Sequence, residues 1–386
     1  MPADSKSPAS NTAVPLGLNG YPGHLTPSEL SALEKFRGLI TDAKLYTPSS
    51  GTSRASHSET TLCRFLRARR FDPEKALKQF SDYEAWRKQH NVDELYRTFP
   101  VEEMELAKKY YPTWTGRRDR RGLPVYVYWL GSLDSKIQKE LNAVSMERRY
   151  QRIVSLYEYM FHGIFNLSAA LAPTTVPSSL PPDAPRPRTR DELCSGSTII
   201  DLSSVSLMQL WGVKSHLQQS STLGTAYYPE TLDSILIVNS PSFFPTVWGW
   251  IQGWFDANTR NKIRILGNPE KDAKTREVLK SFISEENLPK AYGGTLEWKV
   301  GDPPNFDEEA KKWLKEVMGL EGEVPLRGPV FIDPYAKPGD SKRLSEVDSG
   351  VGLEPSAPAP ATDSEQPKSA AETLLPATPA PQAATA

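Results

Sequence analysis

The sequence YYPETLDSILIVNSPSFFPTVWGWIQGWFDANTRNKIRILG, residues 227–267, decides the fold of this chain. Within it, residues 234–239 (SILIVN) have the length and β-branched composition of a buried strand. Pro241 and Pro245 then indicate a turn. The next residues, 246–256 (TVWGWIQGWFD), are apolar on almost every side, and such helices are buried or touch lipid. At about 1.5 Å per residue this segment is far too short to span a bilayer.

Two interpretations of the apolar segment 246–256 stay open at this point. Four of its side chains share one helical face: Val247, Ile251, Trp254 and Phe255. Trp248 and Trp250 point elsewhere. The segment is either a core helix of a large domain or a helix that faces a hydrophobic ligand on one side and a membrane on the other.

The composition excludes several classes of protein. The 386 residues allow one large domain, or two ordinary ones, with tails. Lys and Arg number 46 against 47 Asp and Glu, and a net charge of −1 favours no nucleic-acid partner. Cys63 and Cys194 lack metal-ligand spacing and fit a reducing compartment. Because no signal peptide or run of about 18 apolar residues is visible, we expect a soluble, cytoplasmic protein.

The N-terminal part of the chain is predicted to be helical. Residues 1–25 are rich in Pro, Ser, Ala and Gly, which indicates disorder. Residues 26–29 then read as a capping box with proline at the first helical position. A second capping box is predicted at 56–59, and Asp72 followed by proline starts a third helix. Residues 26–95 therefore form a helical lobe.

The middle of the chain alternates strands with helices. Strands are predicted at 124–130, 198–202, 234–239 and 263–266, with a long helix at 145–166. This alternation predicts an α/β fold, with a mixed or parallel sheet covered by helices. The domain is expected over 101–298, with a flexible Pro-rich surface loop inserted at 171–190. A C-terminal extension with a short helix follows over 299–332, and the composition of 333–386 predicts a disordered tail.

The sequence contains no catalytic or metal-binding motif. It lacks the glycine loops that cradle phosphate and the G-x-S-x-G turn of α/β-hydrolases. The five histidines have no metal-ligand spacing, and His216, in a Gln- and Ser-rich segment, is expected at the surface. We therefore expect no enzyme, no metal and no cofactor. Two basic clusters, at 64–70 and 117–121, fit either a solvated surface or contact with anionic headgroups.

Six short motifs occur in order along the chain: LCRFLRARRFD (62–72), RRGLPVYVY (120–128), TIIDL (198–202), YYPETLDSILIVNSP (227–241), NKIRILG (261–267) and ENLPKAYGG (286–294). Each is weak alone, but the set is specific. In this order they resemble the CRAL-TRIO lipid-binding family, most closely the fungal phosphatidylinositol transfer proteins of the secretory pathway. The resemblance covers about residues 26–298. It implies a helical N-terminal lobe and a sheet that floors a hydrophobic cavity, closed by a gate helix at 246–256.

The resemblance also implies a site for the inositol headgroup. The family's headgroup positions fall on Arg69, Arg70, Glu230, Thr259 and Lys262. Arg70 stands where the family has lysine, which keeps the charge. Arginine and lysine donate hydrogen bonds to phosphate, and a carboxylate or hydroxyl binds the ring hydroxyls.

A phosphatidylcholine site carries over less completely. Tyr126, Tyr157 and Thr198 match positions of that site, whereas Thr115 and Gly196 stand where the family has a tyrosine and a serine. The alternative for Tyr126 and Tyr157 is aromatic core packing.

The predicted function is phospholipid transfer without catalysis. Exposing a two-chain lipid of about 30 methylenes to water costs roughly 24 kcal/mol, at about 0.8 kcal/mol per methylene, so a carrier needs an apolar cavity. We expect a monomer that binds phosphatidylinositol, with phosphatidylcholine as a further ligand, and touches membranes of the Golgi or endoplasmic reticulum transiently. The alternatives are a lipid-sensing scaffold that presents lipid to a kinase or GTPase pathway, and a carrier of sterols or other hydrophobic molecules.

Overall fold

The computed structural model describes residues 18–51, 53–176, 185–254, 257–320 and 326–338. The helices are α1 Pro27–Asp42, α2 Glu59–Ala68, α3 Pro73–Gln89, α4 Val92–Arg97, α5 Val101–Lys108, α6 Ser135–Ala143, α7 Met146–Tyr159, α8 Asn166–Ala170, α9 Leu207–Tyr227, α10 Phe244–Ile251, α11 Ala257–Asn261, α12 Ala273–Phe282 and α13 Glu308–Met318. The strands are β1 Thr113–Arg118, β2 Pro124–Trp129, β3 Gly196–Asp201, β4 Leu232–Val238 and β5 Ile263–Ile265.

The N-terminal helices begin where their capping residues lie. Thr26 forms the predicted capping box with Glu29. The box predicted at 56–59 is wrong, because Ser58 is the N-cap of α2 and its hydroxyl accepts from the amide of Thr61 at 3.2 Å. Helices α1, α2 and α3 share a core that includes Phe36, Phe65 and Phe80.

The five strands form one sheet in the order β1-β2-β3-β4-β5. Strand β1 is antiparallel to β2, and the remaining neighbours are parallel, so the predicted mixed α/β sheet is confirmed. Strand β1 was not predicted. Its sequence, TWTGRR, contains Gly116 at φ +86° and ends in two arginines, so it lacks the apolar alternation of a strand.

The two faces of the sheet have different neighbours. Val125, Val127 and Leu236 pack against Leu279 and Phe282 of α12. The opposite face carries a row of aligned residues, one from each of four strands: Tyr126, Thr198, Ile235 and Ile263. This second face lies towards α7, α9 and α10 and forms the floor of a cavity.

The helix predicted at 145–166 is interrupted. Helix α7 ends at Tyr159, a π-helical turn spans Met160–Phe165, and α8 follows. Turns of this type are rare in proteins overall, and those that occur are often found at functional sites. Met160 and Ile164 of this turn line the cavity, so the irregularity lies against it.

Three predicted disordered or flexible segments are partly ordered. Tyr21 is buried, so the predicted disorder over 1–25 is wrong for 18–25. Within the predicted surface loop 171–190, Arg188 is 3% exposed and donates to Asp233 Oδ1 at 3.0 Å, so this part is packed. Asp333, in the predicted tail, pairs with Arg54 at 2.9 Å. Residues 1–17, 177–184 and 339–386 lie outside the described residues.

Across the described ranges, the helices lack the length and apolar content needed to cross a bilayer. The same residues contain no group of three or more potential metal ligands.

Candidate functional site

A cavity of about 1070 Å³ lies on the sheet face that carries Tyr126, Thr198, Ile235 and Ile263. Its other walls come mainly from α7, α9 and α10, through Ile153, Leu156, Leu210, Leu217, Phe244 and Val247. Ligand pockets usually have volumes of about 300–1,000 Å³, so this cavity is slightly larger than the usual range. Its walls can replace water around a long apolar ligand.

The three residues predicted for a phosphatidylcholine site all line this cavity. The Tyr126 hydroxyl is buried and has no hydrogen-bond partner among the described residues. The Tyr157 hydroxyl donates to Ser220 O at 3.3 Å, and burial raises the pKa of Tyr157 to about 12. Burial also holds the pKa of Tyr126 well above 10, so both are neutral donors. Thr198 sits beside Tyr126 in the sheet.

The two positions where the resemblance fails have clear structural roles. Thr115 is fully buried, and its hydroxyl donates to Val125 O at 3.0 Å and accepts from the amide of Arg117. This hydroxyl is therefore bonded to main chain. A Cβ at Gly196 would lie 3.2 Å from the Tyr126 ring, so the glycine allows that ring its present position.

The predicted gate segment 246–256 contains α10 and a short 3₁₀ turn, Gln252–Trp254. Helix α10 begins earlier than predicted because Pro245 occupies its first turn, where proline is favoured. Val247 is 5% exposed and, with Trp248, lines the cavity.

The remaining residues named for the gate are less fully described. Phe255 and Asp256 lie outside the described residues, and Ile251 and Trp254 are described only in their backbone. The segment thus lies against the cavity through Val247, Trp248 and Trp250.

A cluster of charged side chains lies beside the cavity. Lys262 Nζ is 2.9 Å from Glu230 Oε2, with side-chain exposures of 19% and 9%. Arg67 Nε lies 3.9 Å from the same oxygen, and this buried N–H has no hydrogen-bond acceptor in the described part of the chain. Thr231 and Ile263, the chain neighbours of Glu230 and Lys262, line the cavity. Arg67, Glu230 and Lys262 are not among the residues that line the cavity, so the cluster adjoins it through these two chain neighbours.

The N-terminal helices hold the segment that carries Glu230. Arg64, in α2, is 4% exposed, and its Nε donates to Pro229 O at 3.0 Å. Gln79, in α3, donates to Thr225 O and Ala226 O, each at 3.0 Å. Glu230 itself has a φ of +60°, which is uncommon for a residue other than glycine. These contacts hold the residues just before Glu230 and so support the unfavourable backbone conformation of this member of the charged cluster.

Strand pairing places the other half of the cluster. The amide of Ile235 donates to Lys262 O at 2.9 Å, which joins Lys262 to β4. The amide of Lys262 donates to Thr259 O at 3.1 Å, so the predicted residue Thr259 is one turn away and half-buried.

Arg67, which lies close to Glu230, was not among the predicted headgroup residues. Arg69 caps α2 and donates to Ala68 O at 2.9 Å, while Arg70 is exposed with a φ of +52°. Arg67 belongs to the basic cluster at 64–70, which the sequence analysis interpreted as a solvated surface or as contacts for anionic headgroups, without including Arg67 in the inositol site. No signal in the local sequence distinguishes Arg67 from its neighbours, because its contacts come from Gly20 and Tyr21.

The second basic cluster also belongs to the interior in part. Arg121 is 3% exposed and donates to Asp119, Ser197 and Ser234 at 2.8 to 3.2 Å. It also pairs with Asp233, to which Arg188 donates. Burial alone would raise the pKa of Asp233, but the two arginines outweigh it and lower that pKa. This network joins the starts of β3 and β4.

His216 is not at the surface, contrary to the prediction. Its side chain packs on the Tyr111 ring, and Nε2 lies 3.2 Å from Tyr110 O. Burial lowers its pKa to about 4, so the imidazole is neutral near pH 7.

The chain combines a helical N-terminal unit with a mixed sheet that carries a large apolar cavity on one face. These features place it in the class of α/β proteins with a cavity for a hydrophobic ligand. The comparisons with known proteins agree. Residues 108–294 match the CRAL/TRIO domain, and residues 32–82 match the CRAL/TRIO N-terminal domain. The chain belongs to the CRAL/TRIO family, which confirms the resemblance noted in the sequence.

Several relatives match most of the chain. The Sec14 cytosolic factor of Schizosaccharomyces pombe is 32% identical over 294 residues, which is 76% of this chain and 91% of that protein. The SEC14 cytosolic factor of Kluyveromyces lactis is 30% identical over 309 residues, 80% of this chain and 92% of that protein. The phosphatidylinositol/phosphatidylcholine transfer protein SFH9 of Arabidopsis thaliana is 32% identical over 235 residues, 61% of this chain and 36% of that protein.

A solved structure shares the fold. The crystal structure of Sfh5 has a TM-score of 0.50 and 17% sequence identity, and the match covers 75% of this chain and 96% of that one. At this identity the likeness concerns the fold alone.

Proposed function

We propose that this protein transfers phospholipid between membranes and that phosphatidylinositol is one of its ligands. The observation that carries the proposal is the position of the Arg67–Glu230–Lys262 cluster beside an apolar cavity of about 1070 Å³. A phospholipid has the same division, with a charged, hydroxyl-bearing head and apolar chains. Relatives at 30–32% identity whose names describe a Sec14 cytosolic factor or a phosphatidylinositol/phosphatidylcholine transfer protein support it.

The charged cluster supplies the chemistry for an inositol phosphate headgroup. Lys262 and Arg67 carry donors for phosphate oxygens, and the resemblance adds Arg69 and Arg70. Glu230 accepts hydrogen bonds from ring hydroxyls, and Thr259 both donates and accepts. When the headgroup enters, Lys262 and Glu230 exchange part of their mutual contact for contacts with ligand.

Phosphatidylcholine is proposed as a second ligand. Tyr126, Tyr157 and Thr198 bring hydroxyl groups into the cavity, and the Tyr126 hydroxyl is buried without a protein partner among the described residues. A buried hydroxyl without a partner is costly, and a ligand phosphate would supply the acceptor. Because Thr115 is bonded to main chain and Gly196 has no side chain, we expect weaker phosphatidylcholine binding than a full set of hydroxyls would give.

The segment 246–256 is proposed to act as the gate. Val247 and Trp248 contact the cavity, so moving α10 would open it. Opening in water would expose the acyl chains at a cost of about 0.8 kcal/mol per methylene, so we expect the gate to open at a membrane surface. The protein would then act in the cytoplasm, as a monomer without enzymatic activity, and contact membranes such as those of the Golgi or endoplasmic reticulum transiently.

Lipid transfer between vesicles tests this function. Purified protein is mixed with donor vesicles that contain labelled phosphatidylinositol, phosphatidylcholine or sterol, and with unlabelled acceptor vesicles. The proposal predicts transfer of phosphatidylinositol. In parallel, mass spectrometry identifies any lipid that co-purifies with the protein. A retained lipid without exchange would instead indicate the lipid-presenting scaffold, and transfer of sterol alone would indicate the sterol carrier.

A further inference from the structure

The first two turns of α9 and the end of α10 carry large apolar side chains on the protein surface. Met208 is 79% exposed, Trp211 60%, Trp250 54% and Leu207 44%. The Trp211 and Trp250 rings contact each other edge to face, with centroids 6.4 Å apart. We call these four residues the tryptophan face. Clustered exposure of this kind marks a surface that binds something.

The tryptophan face is continuous with the cavity. Leu207, Trp211 and Trp250 line the cavity as well as being exposed, so they lie at its mouth. Whatever covers this face must therefore leave an apolar path for a ligand that enters or leaves. A protein partner seated there would block the mouth, whereas the acyl region of a bilayer would extend the cavity's own environment.

The charges around the face also fit a lipid surface. The sequence of α9, LMQLWGVKSHLQQSSTLGTAY, contains no Asp or Glu, and the sequence of α10, FPTVWGWI, contains no charged residue. Lys214 Nζ lies 4.8 Å from the centroid of the Trp211 ring. Tryptophan favours the membrane–water interface, and a basic residue beside it gains roughly 1 kcal/mol near an anionic leaflet.

We infer that the tryptophan face is a membrane-docking surface, in which the first two turns of α9 enter the interface of a bilayer that contains anionic lipid. The inference rests on the proposed transfer function and adds a second element to it. Helix α10 controls access to the cavity, and α9 anchors the protein while α10 moves.

Vesicle co-flotation tests the docking surface directly. Full-length protein is mixed with vesicles of phosphatidylcholine alone, or of phosphatidylcholine with a minority of phosphatidylserine. The combined substitution M208Q with W211Q should weaken binding to both about tenfold or more, because two apolar side chains no longer enter the interface. Lys214→Gln should lower binding to the anionic vesicles severalfold and leave binding to phosphatidylcholine unchanged.

The matched control replaces exposed apolar residues elsewhere. Leu106 and Met146 are 49% and 65% exposed and do not line the cavity, so L106Q with M146Q should bind vesicles like the wild type. The inference is overturned if M208Q with W211Q binds like the wild type, or if light scattering shows a wild-type dimer that this double substitution converts to a monomer. Co-flotation does not require transfer, so failure of transfer with intact docking would count against the proposed function alone.

Discussion

Lys262 Nζ lies 2.9 Å from Glu230 Oε2, although the two residues come from opposite ends of the stretch that includes β4 and α10. The pair is largely withdrawn from water, with exposures of 19% and 9%. Removing one member of such a pair leaves a poorly solvated charge, which is usually more costly than losing an exposed ion pair. Under the proposed function, a ligand headgroup would take the place of either partner, which would make the pair suited to exchange.

Substitutions of Arg67 and Arg70 test whether the headgroup binds the arginine beside Glu230 or the arginine indicated by the family motif. Because Arg67 Nε lies 3.9 Å from Glu230, we expect Arg67→Gln to lower the rate of phosphatidylinositol transfer about tenfold. Arg70→Gln, at an exposed position, should lower it less. Both rates are measured with labelled phosphatidylinositol in vesicles. A larger loss of transfer for Arg70→Gln than for Arg67→Gln would indicate that Arg70, the residue of the family motif, contacts the headgroup instead.

The buried hydroxyl of Tyr126 gives a prediction with two signs. Tyr126→Phe should raise the free energy of unfolding of the lipid-free protein by about 1 kcal/mol, because it removes a buried donor without a partner among the described residues. The same substitution should weaken phosphatidylcholine binding.

Tyr128→Phe is the matched control for that substitution. It lines the same cavity, but its hydroxyl donates to Tyr110 O at 3.0 Å, so its loss should lower stability by about 1 kcal/mol. Urea titration measures both. Equal destabilisation by the two variants would show that the Tyr126 hydroxyl already has a partner in the unliganded protein.

The gate proposal predicts a local change in hydrogen exchange. Amides of α10, residues Phe244–Ile251, should exchange faster when vesicles are added, because opening separates this helix from the cavity. Amides of β3, Gly196–Asp201, should be unchanged, since that strand is paired on both sides. Mass spectrometry of peptides from both segments makes the comparison. The same exchange rate for the α10 amides with and without vesicles would contradict a gate formed by this helix.

His216 gives the protein an acid-sensitive contribution to stability. Burial lowers its pKa from the ordinary value of 6.5 to about 4, so the unfolded chain binds this proton more readily than the native protein between those values. The free energy of unfolding should therefore fall as pH falls from 6.5 towards 4. At about 1.4 kcal/mol for each unit of pKa, the contribution is about 3 kcal/mol.

The control for this pH effect is His216→Gln, which keeps a donor for Tyr110 O. Other groups titrate in the same range, so the quantity to follow is the difference between wild type and variant in urea unfolding at each pH. That difference in the free energy of unfolding, wild type minus variant, should become smaller as the pH falls from 6.5 to 4. A difference independent of pH would mean that His216 is not neutral in the native protein.

The sequence predicted those parts of the fold that depend on local patterns. Within the run SILIVN, the four central residues ILIV (235–238) are all apolar, as a strand buried on both faces requires, and they form the second half of β4. Thr26 and Glu29 carry their capping information within four residues. Strand β1 could not be predicted in this way, because TWTGRR owes its strand conformation to pairing with β2.

The sequence motifs name Glu230 and Lys262 for the candidate site, but they do not name Arg67, whose burial depends on residues far away in the sequence. Glu230 and Lys262, which the family resemblance names together as headgroup residues, are brought together by strands β4 and β5. Arg67 is buried because Tyr21 stacks on its guanidinium, with the ring centroid 3.9 Å away, and Gly20 O accepts from it at 3.1 Å. Those contacts come from a segment whose composition indicates disorder, so no local pattern announces them.

The most direct test of the account is the rate at which Lys262→Gln transfers labelled phosphatidylinositol between vesicles, relative to wild type. Lys290→Gln is the control, because Lys290 belongs to an exposed ion pair with Glu297. We predict that the wild type and Lys290→Gln transfer phosphatidylinositol alike, and that Lys262→Gln loses about tenfold or more while unfolding cooperatively. Transfer by Lys262→Gln at the wild-type rate would contradict the account.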